Sequence, residues 1–109
     1  MEFDTLKEKI IEKLKMIYDP EMSVNIYDLG LIYSIDCEKK EDASIDCIIT
    51  MTLTSANCPV SGTLYDLVSN VGYCIEEVED LETIPKLVFD PPWTQSMMSD
   101  EAKLTLGLL

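Results

Sequence analysis

The chain repeats apolar residues at helical spacing near its start. Steps of three and four residues predict an amphipathic helix whose apolar stripe is Phe3, Leu6, Ile10, Leu14 and Ile17. Thr5 and Glu8 match a capping box at its first turn, and Asp4 is an alternative cap. The helix is expected to end before Pro20, because the residue before a proline disfavours helical backbone.

Two further segments are predicted to be helical. Apolar residues again recur at helical spacing from Pro59 to about Val78, and Pro59 suits the first helical position. A short final helix is expected to be capped by residues 99–101 and to end near Gly107.

Strict alternation of apolar and polar residues predicts an antiparallel hairpin between the first two helices. Its first strand has one face formed by Leu31, Tyr33, Ile35 and Cys37, with Ile32 on the polar face. Its second strand covers residues 44–54. A turn centred on Asp42 would place Cys37 opposite Cys47.

A third strand is predicted from Thr83 to Asp90. It contains Pro85, which lacks an N–H group and therefore indicates a sheet edge. The helical crossover runs this strand in the same direction as the second, and we expect the sheet order 2-1-3, which leaves Pro85 at an edge.

These elements predict the fold class α+β. The expected architecture is a two-layer α/β sandwich of order α-β-β-α-β-α, with a small three-stranded sheet and helices on one face. The 109 residues are expected to form one domain, 1–109, because two separate cores would each be very small.

The charge of the chain excludes several classes of function. It has 21 Asp and Glu against 8 Lys, no Arg and no His, and a net charge of -13. Such a surface repels nucleic acid, and the absence of His removes the commonest catalytic bases. There is no apolar run of membrane-spanning length and no secretion signal, so we expect a cytoplasmic protein without membrane contact.

Cysteines are the most promising chemical groups. In a reducing compartment all four are expected to be thiols rather than disulfides. Cys58 precedes Pro59 at the predicted helix start, where the helix dipole would lower the pKa of a thiol. Reactivity and simple packing are both open for Cys58. Cys37, Cys47 and Cys74 are interpreted as packing residues.

Two other features leave alternatives open. A loop from Asp19 to Gly30, which we call the first loop, precedes the hairpin and contains the carboxylates of Asp19, Glu21 and Asp28. They fit either an oxygen-ligand or recognition site, or turn chemistry. Trp93 fits either closure of the core or an anchor in a partner interface.

Four motifs, in this order, resemble the SufT and PaaD-like family of iron-sulfur assembly domains. They are Asp19-Pro20-Glu21 with Val24 to Tyr33, Met51-Thr52-Leu53-Thr54 with Cys58-Pro59, Phe89 to Thr94, and Met98-Ser99 with Leu106-Gly107. Family members are small α+β domains that help to mature iron-sulfur clusters and to deliver them to client proteins.

The resemblance implies a non-enzymatic accessory protein of iron-sulfur cluster assembly. It makes Cys58 the candidate ligand for a cluster or iron held transiently and shared with a partner. It assigns Asp19, Glu21, Asp28 and Trp93 to a recognition surface. We expect Asn57 to belong to the same surface, although the chain departs from the family there, which often has a glycine before the cysteine.

The implied partners are iron-sulfur carrier or scaffold proteins and apo client proteins. Because the chain is acidic, part of the partner is expected to present Lys or Arg. A homodimer stays open. The alternative function is a PaaD-like interaction module that aids assembly of a multicomponent oxygenase without metal contact.

Overall fold

The structure is a computed structural model that describes residues 2–19, 23–54, 61–76, 78 and 80–108. Its elements are α1 (Phe3–Leu14), β1 (Ile32–Lys39), β2 (Ile45–Met51), α2 (Ser61–Ser69), a first 3-10 turn (Val71–Cys74), β3 (Leu81–Leu87), a second 3-10 turn (Gln95–Met97) and α3 (Asp100–Thr105). The predicted fold class and element order are confirmed. None of the helices in these ranges is long and apolar enough to cross a membrane.

The first helix is shorter than predicted, and it begins differently. Its N-cap is Glu2, which makes no side-chain cap bond, so the predicted capping box at Thr5 is wrong. Thr5 already lies inside the helix. At the other end the N–H groups of Met16 and Ile17 donate to carbonyls three residues back, which tightens the last turn after Leu14 and ends the helix well before Pro20.

The hairpin has the predicted register, with Cys37 opposite Cys47. A register shift between Ile32 and Ser34 places Tyr33 in a β-bulge. Ile32 consequently pairs with buried Met51 and packs against the core, so its predicted place on the polar face is wrong.

The sheet order is β1-β2-β3, and the expected order 2-1-3 is wrong. β3 pairs with β2 in parallel, as a crossover through α2 permits, and β2 becomes the central strand. Pro85 lies on an edge strand in either order, so the proline could not distinguish the two arrangements.

The helices pack on one face of the sheet. α1 contacts β1 and the first 3-10 turn, while α2 contacts β3. The core between these layers contains apolar side chains that are less than 2% exposed, among them Leu6, Ile10, Leu14, Ile26, Leu29, Leu31, Ile49, Met51, Leu64 and Val68.

Thr83 joins the α2 layer to the sheet. Its buried hydroxyl accepts from the Gly72 N–H (3.1 Å) and donates to the carbonyls of Val68 and Ser69 (both 3.0 Å). A side chain at Gly72 would meet the Leu81 carbonyl oxygen at 2.8 Å, so glycine allows this close approach.

The final helix begins and ends as predicted. The Ser99 hydroxyl accepts from the Ala102 N–H at 3.1 Å, which is an N-cap bond. Gly107 follows the helix with φ of +75°, a conformation that favours glycine.

Candidate functional site

The first loop is held by hydrogen bonds in its described part. Tyr18 forms an isolated antiparallel bridge with Asn25, and the Asp19 N–H donates to the Val24 carbonyl (3.0 Å). Farther along, the Asn25 side chain donates to the Asp28 carboxylate (2.7 Å) and accepts from the Asp28 N–H (2.9 Å). The Asp28 carboxylate therefore takes part in turn chemistry, one of the two alternatives that the sequence left open.

The predicted acidic recognition residues have different environments. Asp19 is only 2% exposed, so its side chain lies inside the fold and not on an exposed recognition surface. Asp28 is partly exposed. Glu21, Asn57 and Cys58 lie outside the described residues.

Trp93 joins the first loop to residues 88–99, which follow β3 and which we call the C-terminal segment. Its indole N–H donates to the carbonyl of Leu29 at 2.7 Å, and its ring packs against the core. A second bond joins the same parts, because the Ser99 N–H donates to the Asp28 carbonyl at 2.8 Å. Trp93 is half-buried, so it both closes the core and keeps part of its ring exposed.

Gly30 allows the first loop and the C-terminal segment to approach each other closely. Its φ is +88°, and a Cβ atom there would lie 2.4 Å from the Met97 carbonyl oxygen. Both the backbone conformation and the space therefore require glycine. The second 3-10 turn packs directly on the end of the first loop as a result.

Tyr33, the bulged residue of β1, forms a third link. Its hydroxyl donates to the carbonyl of Pro91 at 2.7 Å and lies 3.7 Å from the sulfur of Met97. Bulges often reorient a side chain beside a functional site. The Asp90–Pro91 peptide bond in this segment is cis.

A groove of about 500 Å³ lies where these segments meet. Its lining combines aromatic and apolar surface with a carboxylate and hydroxyls, from Tyr27, Asp28, Gly30, Ile32, Tyr33, Pro91, Met97 and Ser99. Such a mixture suits a side chain or a short peptide segment better than a bare ion.

The C-terminal end of β2 borders the same segments. The Thr52 N–H donates to the Leu31 carbonyl, and the Val88 N–H donates to the Met51 carbonyl, both at 2.9 Å. Thr52 is fully buried, and its hydroxyl has no hydrogen-bond partner among the described residues. Cys58 follows Thr52 by six residues in the sequence. The strand that leads toward Cys58 thus ends beside the first loop and the C-terminal segment.

The cysteines of the hairpin differ from the prediction. Cys37 and Cys47 form a disulfide, with their Cα atoms 4.0 Å apart, so the expectation that these two are free thiols is wrong. The reason is the register, since direct cross-strand partners on one face bring their side chains together. Cys47 is fully buried, which agrees with its predicted place in the core.

Cys74 is the free cysteine of the described residues, and it is exposed. Its sulfur lies 3.9 Å from the Asn70 carbonyl oxygen. Within the described ranges, no three His, Cys, Asp or Glu side chains are grouped so that they could hold a metal ion. The described part of the chain therefore does not by itself provide a closed metal site.

Sequence reasoning missed three of the residues that organise this region. Asn25, Tyr33 and Thr52 all lie in the motifs quoted above, but no individual role was assigned to them. One signal was available for Tyr33: the three consecutive apolar residues 31–33 break the alternation at the start of β1, as expected at a bulge. A local signal was also available for Asn25, because Asp28 follows it by three residues and Asn commonly bonds nearby backbone in turns. Nothing local indicated the burial of the Thr52 hydroxyl.

Comparisons with known proteins agree with the motifs. The family described as "Iron-sulfur cluster assembly protein" matches residues 7–82. A "Fe-S protein maturation auxiliary factor" of Porphyromonas gingivalis is 40% identical over 109 residues, covering 99% of this chain and 97% of that protein. The "Fe-S protein maturation auxiliary factor SufT" of Staphylococcus aureus is 40% identical over 93 residues, covering 85% of this chain and 99% of that protein.

The fold has a relative among solved structures as well. A crystal structure of a domain of unknown function, DUF59, from Bacillus anthracis matches with a TM-score of 0.78 at 32% identity. The match covers 97% of this chain and 95% of that one. The resemblance that the motifs indicated is confirmed in both sequence and fold.

Proposed function

Because the chain belongs to the iron-sulfur cluster assembly protein family, we propose that it acts as an accessory factor in the maturation of iron-sulfur proteins. In this function it binds apo client proteins and cluster carriers or scaffolds, and it catalyses no reaction of its own. All 109 residues act as one unit. Two relatives are named auxiliary factors, which supports an accessory role.

The observation that carries this proposal is the convergence of three sequence motifs around one groove. Trp93 and Ser99 donate hydrogen bonds to carbonyls of the first loop, and Tyr33 of β1 donates to the carbonyl of Pro91. At the end of β2, the Thr52 N–H donates to the carbonyl of Leu31, directly after the first loop, and the Met51 carbonyl accepts from the Val88 N–H, directly after β3. The groove that these segments line is suited to a protein partner.

Cys58 is the proposed ligand for a cluster or iron in transit. An iron-sulfur cluster needs about four protein sulfurs, so one thiolate cannot retain it. The remaining sulfurs come from the partner. The cluster is therefore cargo that the chain contacts during transfer. Thiolate is the form that binds iron.

The proposed recognition surface consists of Asp28 and Trp93 with Glu21 and Asn57. The exposed part of the Trp93 ring supplies apolar area, while its N–H is already used within the fold. Asp28 supplies the carboxylate of the groove. In this proposal the recognition surface determines which partner protein binds, and Cys58 contacts the metal.

The test compares two cysteines of the same chain. In cells that lack the protein, Cys58→Ser is expected to lose activation of an iron-sulfur client enzyme, whereas Cys74→Ser retains it. Anaerobic transfer from a loaded carrier to an apo client gives the same comparison in vitro. Thiol alkylation of the folded protein shows whether Cys58 is accessible.

If Cys58→Ser supports client activation as well as the wild type does, the thiol role is wrong. A Trp93→Phe or Asp28→Asn variant that then loses client activation would indicate the alternative function, an interaction module without metal contact. Those two variants must first be shown to fold, because both residues also hold the loop together.

A further inference from the structure

One face of the sheet is not covered by any described element. The helices pack on the face that contains Cys47, Ile49 and Met51. On the opposite face three rows run across β1, β2 and β3 in register, and we call this set the outer face: Ser34, Thr50 and Lys86; Asp36, Ile48 and Ile84; Glu38, Asp46 and Glu82.

The middle row gives the outer face an apolar centre. Ile48 of the central strand is 40% exposed, and its neighbour Ile84 on β3 is partly exposed. Two adjacent isoleucines in the middle of a solvent-facing sheet form a small apolar patch. The patch is bordered on one side by the hydroxyl groups of Ser34 and Thr50 with the ammonium group of Lys86, and on the other side by carboxylates.

The last row makes one end of the outer face acidic. Glu38, Asp46 and Glu82 lie side by side, and Asp36 extends the charge into the middle row. Lys40 reaches back to Asp46, with 2.8 Å between its nitrogen and the carboxylate oxygen. The hydrogen bond and the charge of Asp46 raise the pKa of Lys40, so this acidic end already attracts a cation.

The dimensions of the outer face limit what can cover it. Three strands spaced by about 4.8 Å and a strand rise of about 3.3 Å per residue give an area of roughly 200–300 Å². A stable interface buries about 800 Å² on each partner, so the outer face is too small for a stable dimer. Two copies would also bring together two chains that each carry a net charge of -13. A single α-helix, about 10 Å wide, matches the width of three strands.

We propose that the outer face is a docking surface for one cationic amphipathic helix of a partner protein. The helix runs along the strands, with its apolar side chains on Ile48 and Ile84. Its Lys or Arg residues pair with Glu38, Asp46 and Glu82. The outer face shares no residue with the lining of the groove, so the inference goes beyond the proposed function and can fail without it.

The probe is a synthetic amphipathic helix of about 15 residues, with a leucine stripe flanked by lysines. Amide chemical shifts of the labelled protein are followed by NMR during titration. The expected result is that the shifts change in β1, β2 and β3 at outer-face positions, and that affinity falls as salt rises. A scrambled peptide of the same composition and a version with glutamates in place of lysines are expected to bind at least about tenfold more weakly.

Variants of the protein separate the docking surface from general charge attraction. Glu38→Gln with Glu82→Gln is expected to weaken peptide binding about five- to tenfold at low salt. The control, Glu8→Gln with Glu12→Gln, makes the same change in net charge on exposed positions of α1 and should alter binding less than about twofold. Ile48→Thr with Ile84→Thr keeps strand-forming side chains but removes apolar area, and it should also weaken binding.

Three results would overturn the inference. The first is equal weakening by the α1 control and the outer-face charge variant, which would mean that only net charge matters. The second is equal binding of the scrambled peptide. The third is a protein dimer in sedimentation that dissociates in the isoleucine variant, which would assign the outer face to a second copy. Each measurement works in a Cys58→Ser background, so failure here leaves the thiol role untouched.

Discussion

Replacing Gly30 with alanine tests the contact that holds the groove together. Gly30 has φ of +88°, and the new Cβ would lie 2.4 Å from the carbonyl oxygen and 2.7 Å from the carbonyl carbon of Met97. Both are backbone atoms, which cannot rotate away as a side chain can. The first loop and the second 3-10 turn must therefore separate to admit one methyl group.

Two costs add up in this variant. A non-glycine residue in the left-handed region costs about 1–2 kcal/mol. Forcing a methyl group into a packed contact costs a further 1–3 kcal/mol, roughly. The free energy of unfolding is thus expected to fall by about 3 kcal/mol, a large share of the roughly 5–15 kcal/mol typical of a domain.

The assay is urea unfolding, followed by far-UV circular dichroism and by the fluorescence of the single tryptophan, Trp93. Other glycines of the chain supply matched controls. Gly107 also has a positive φ, +75°, but no atom of the described residues lies within 4 Å of the place that a Cβ would take, so Gly107→Ala should show only the backbone cost of about 1 kcal/mol. Gly62, in α2, has neither problem, and Gly62→Ala should stabilise the protein by about 0.5–1 kcal/mol.

The difference between Gly30→Ala and Gly107→Ala measures the overlap with Met97. If the two variants unfold at the same urea concentration, the close contact between the first loop and the C-terminal segment does not exist in solution. A changed Trp93 emission in folded Gly30→Ala, absent in Gly107→Ala, is the expected local sign of their separation.

Three other predictions concern single groups. Thr52→Val removes a buried hydroxyl that has no hydrogen-bond partner in the described part of the chain, so urea unfolding should show a gain of about 1 kcal/mol, and a loss would contradict the assignment. Reduction of the Cys37–Cys47 disulfide should lower the free energy of unfolding by about 3 kcal/mol, the value for a closed loop of roughly this length, while a double alanine variant should not respond to reductant. Hydrogen bonds from Ser44 lower the pKa of Asp42, so the stabilisation by that carboxylate is present above its usual pKa and is lost as the pH falls through the lowered value. NMR titration of the Ser44→Ala variant should show that the pKa of Asp42 rises, and an unchanged pKa would refute this cause.

Much of the local structure could be predicted from sequence, because the relevant interactions are between near neighbours. The period of the apolar residues identified the helices and the hairpin, and the turn length set the pairing of Cys37 with Cys47. The same period did not show that α2 ends at Ser69, before the predicted end near Val78, and that a 3-10 turn follows it. Ser99 and Gly107 marked the last helix, because cap residues act within one turn. The predicted capping box at Thr5 failed because the first turn of α1 forms earlier in the chain.

The strand order could not be predicted in the same way. Pro85 requires an edge, but β3 is an edge strand both in the order 2-1-3 and in the observed order. The choice depends on how the α2 crossover packs, which is a contact between layers. The thiol expectation for Cys37 and Cys47 rests on the chemistry of the compartment, whereas the cross-strand register places the two side chains together and permits a disulfide.

Sequence alone determined the class of elements, the acidic character and the family, since each is carried by residue type and spacing along the chain. Only the tertiary structure decided the roles of the motif residues. In the sequence, Asp28, Gly30 and Trp93 fit the roles of ligand, turn residue or anchor. In the structure, Asp28 contacts Ser99, Gly30 contacts Met97 and Trp93 contacts Leu29, so these residues connect two segments that are distant in the sequence. Partners that lie more than sixty residues away leave no periodic signal in the sequence, because a folded chain brings them together through packing.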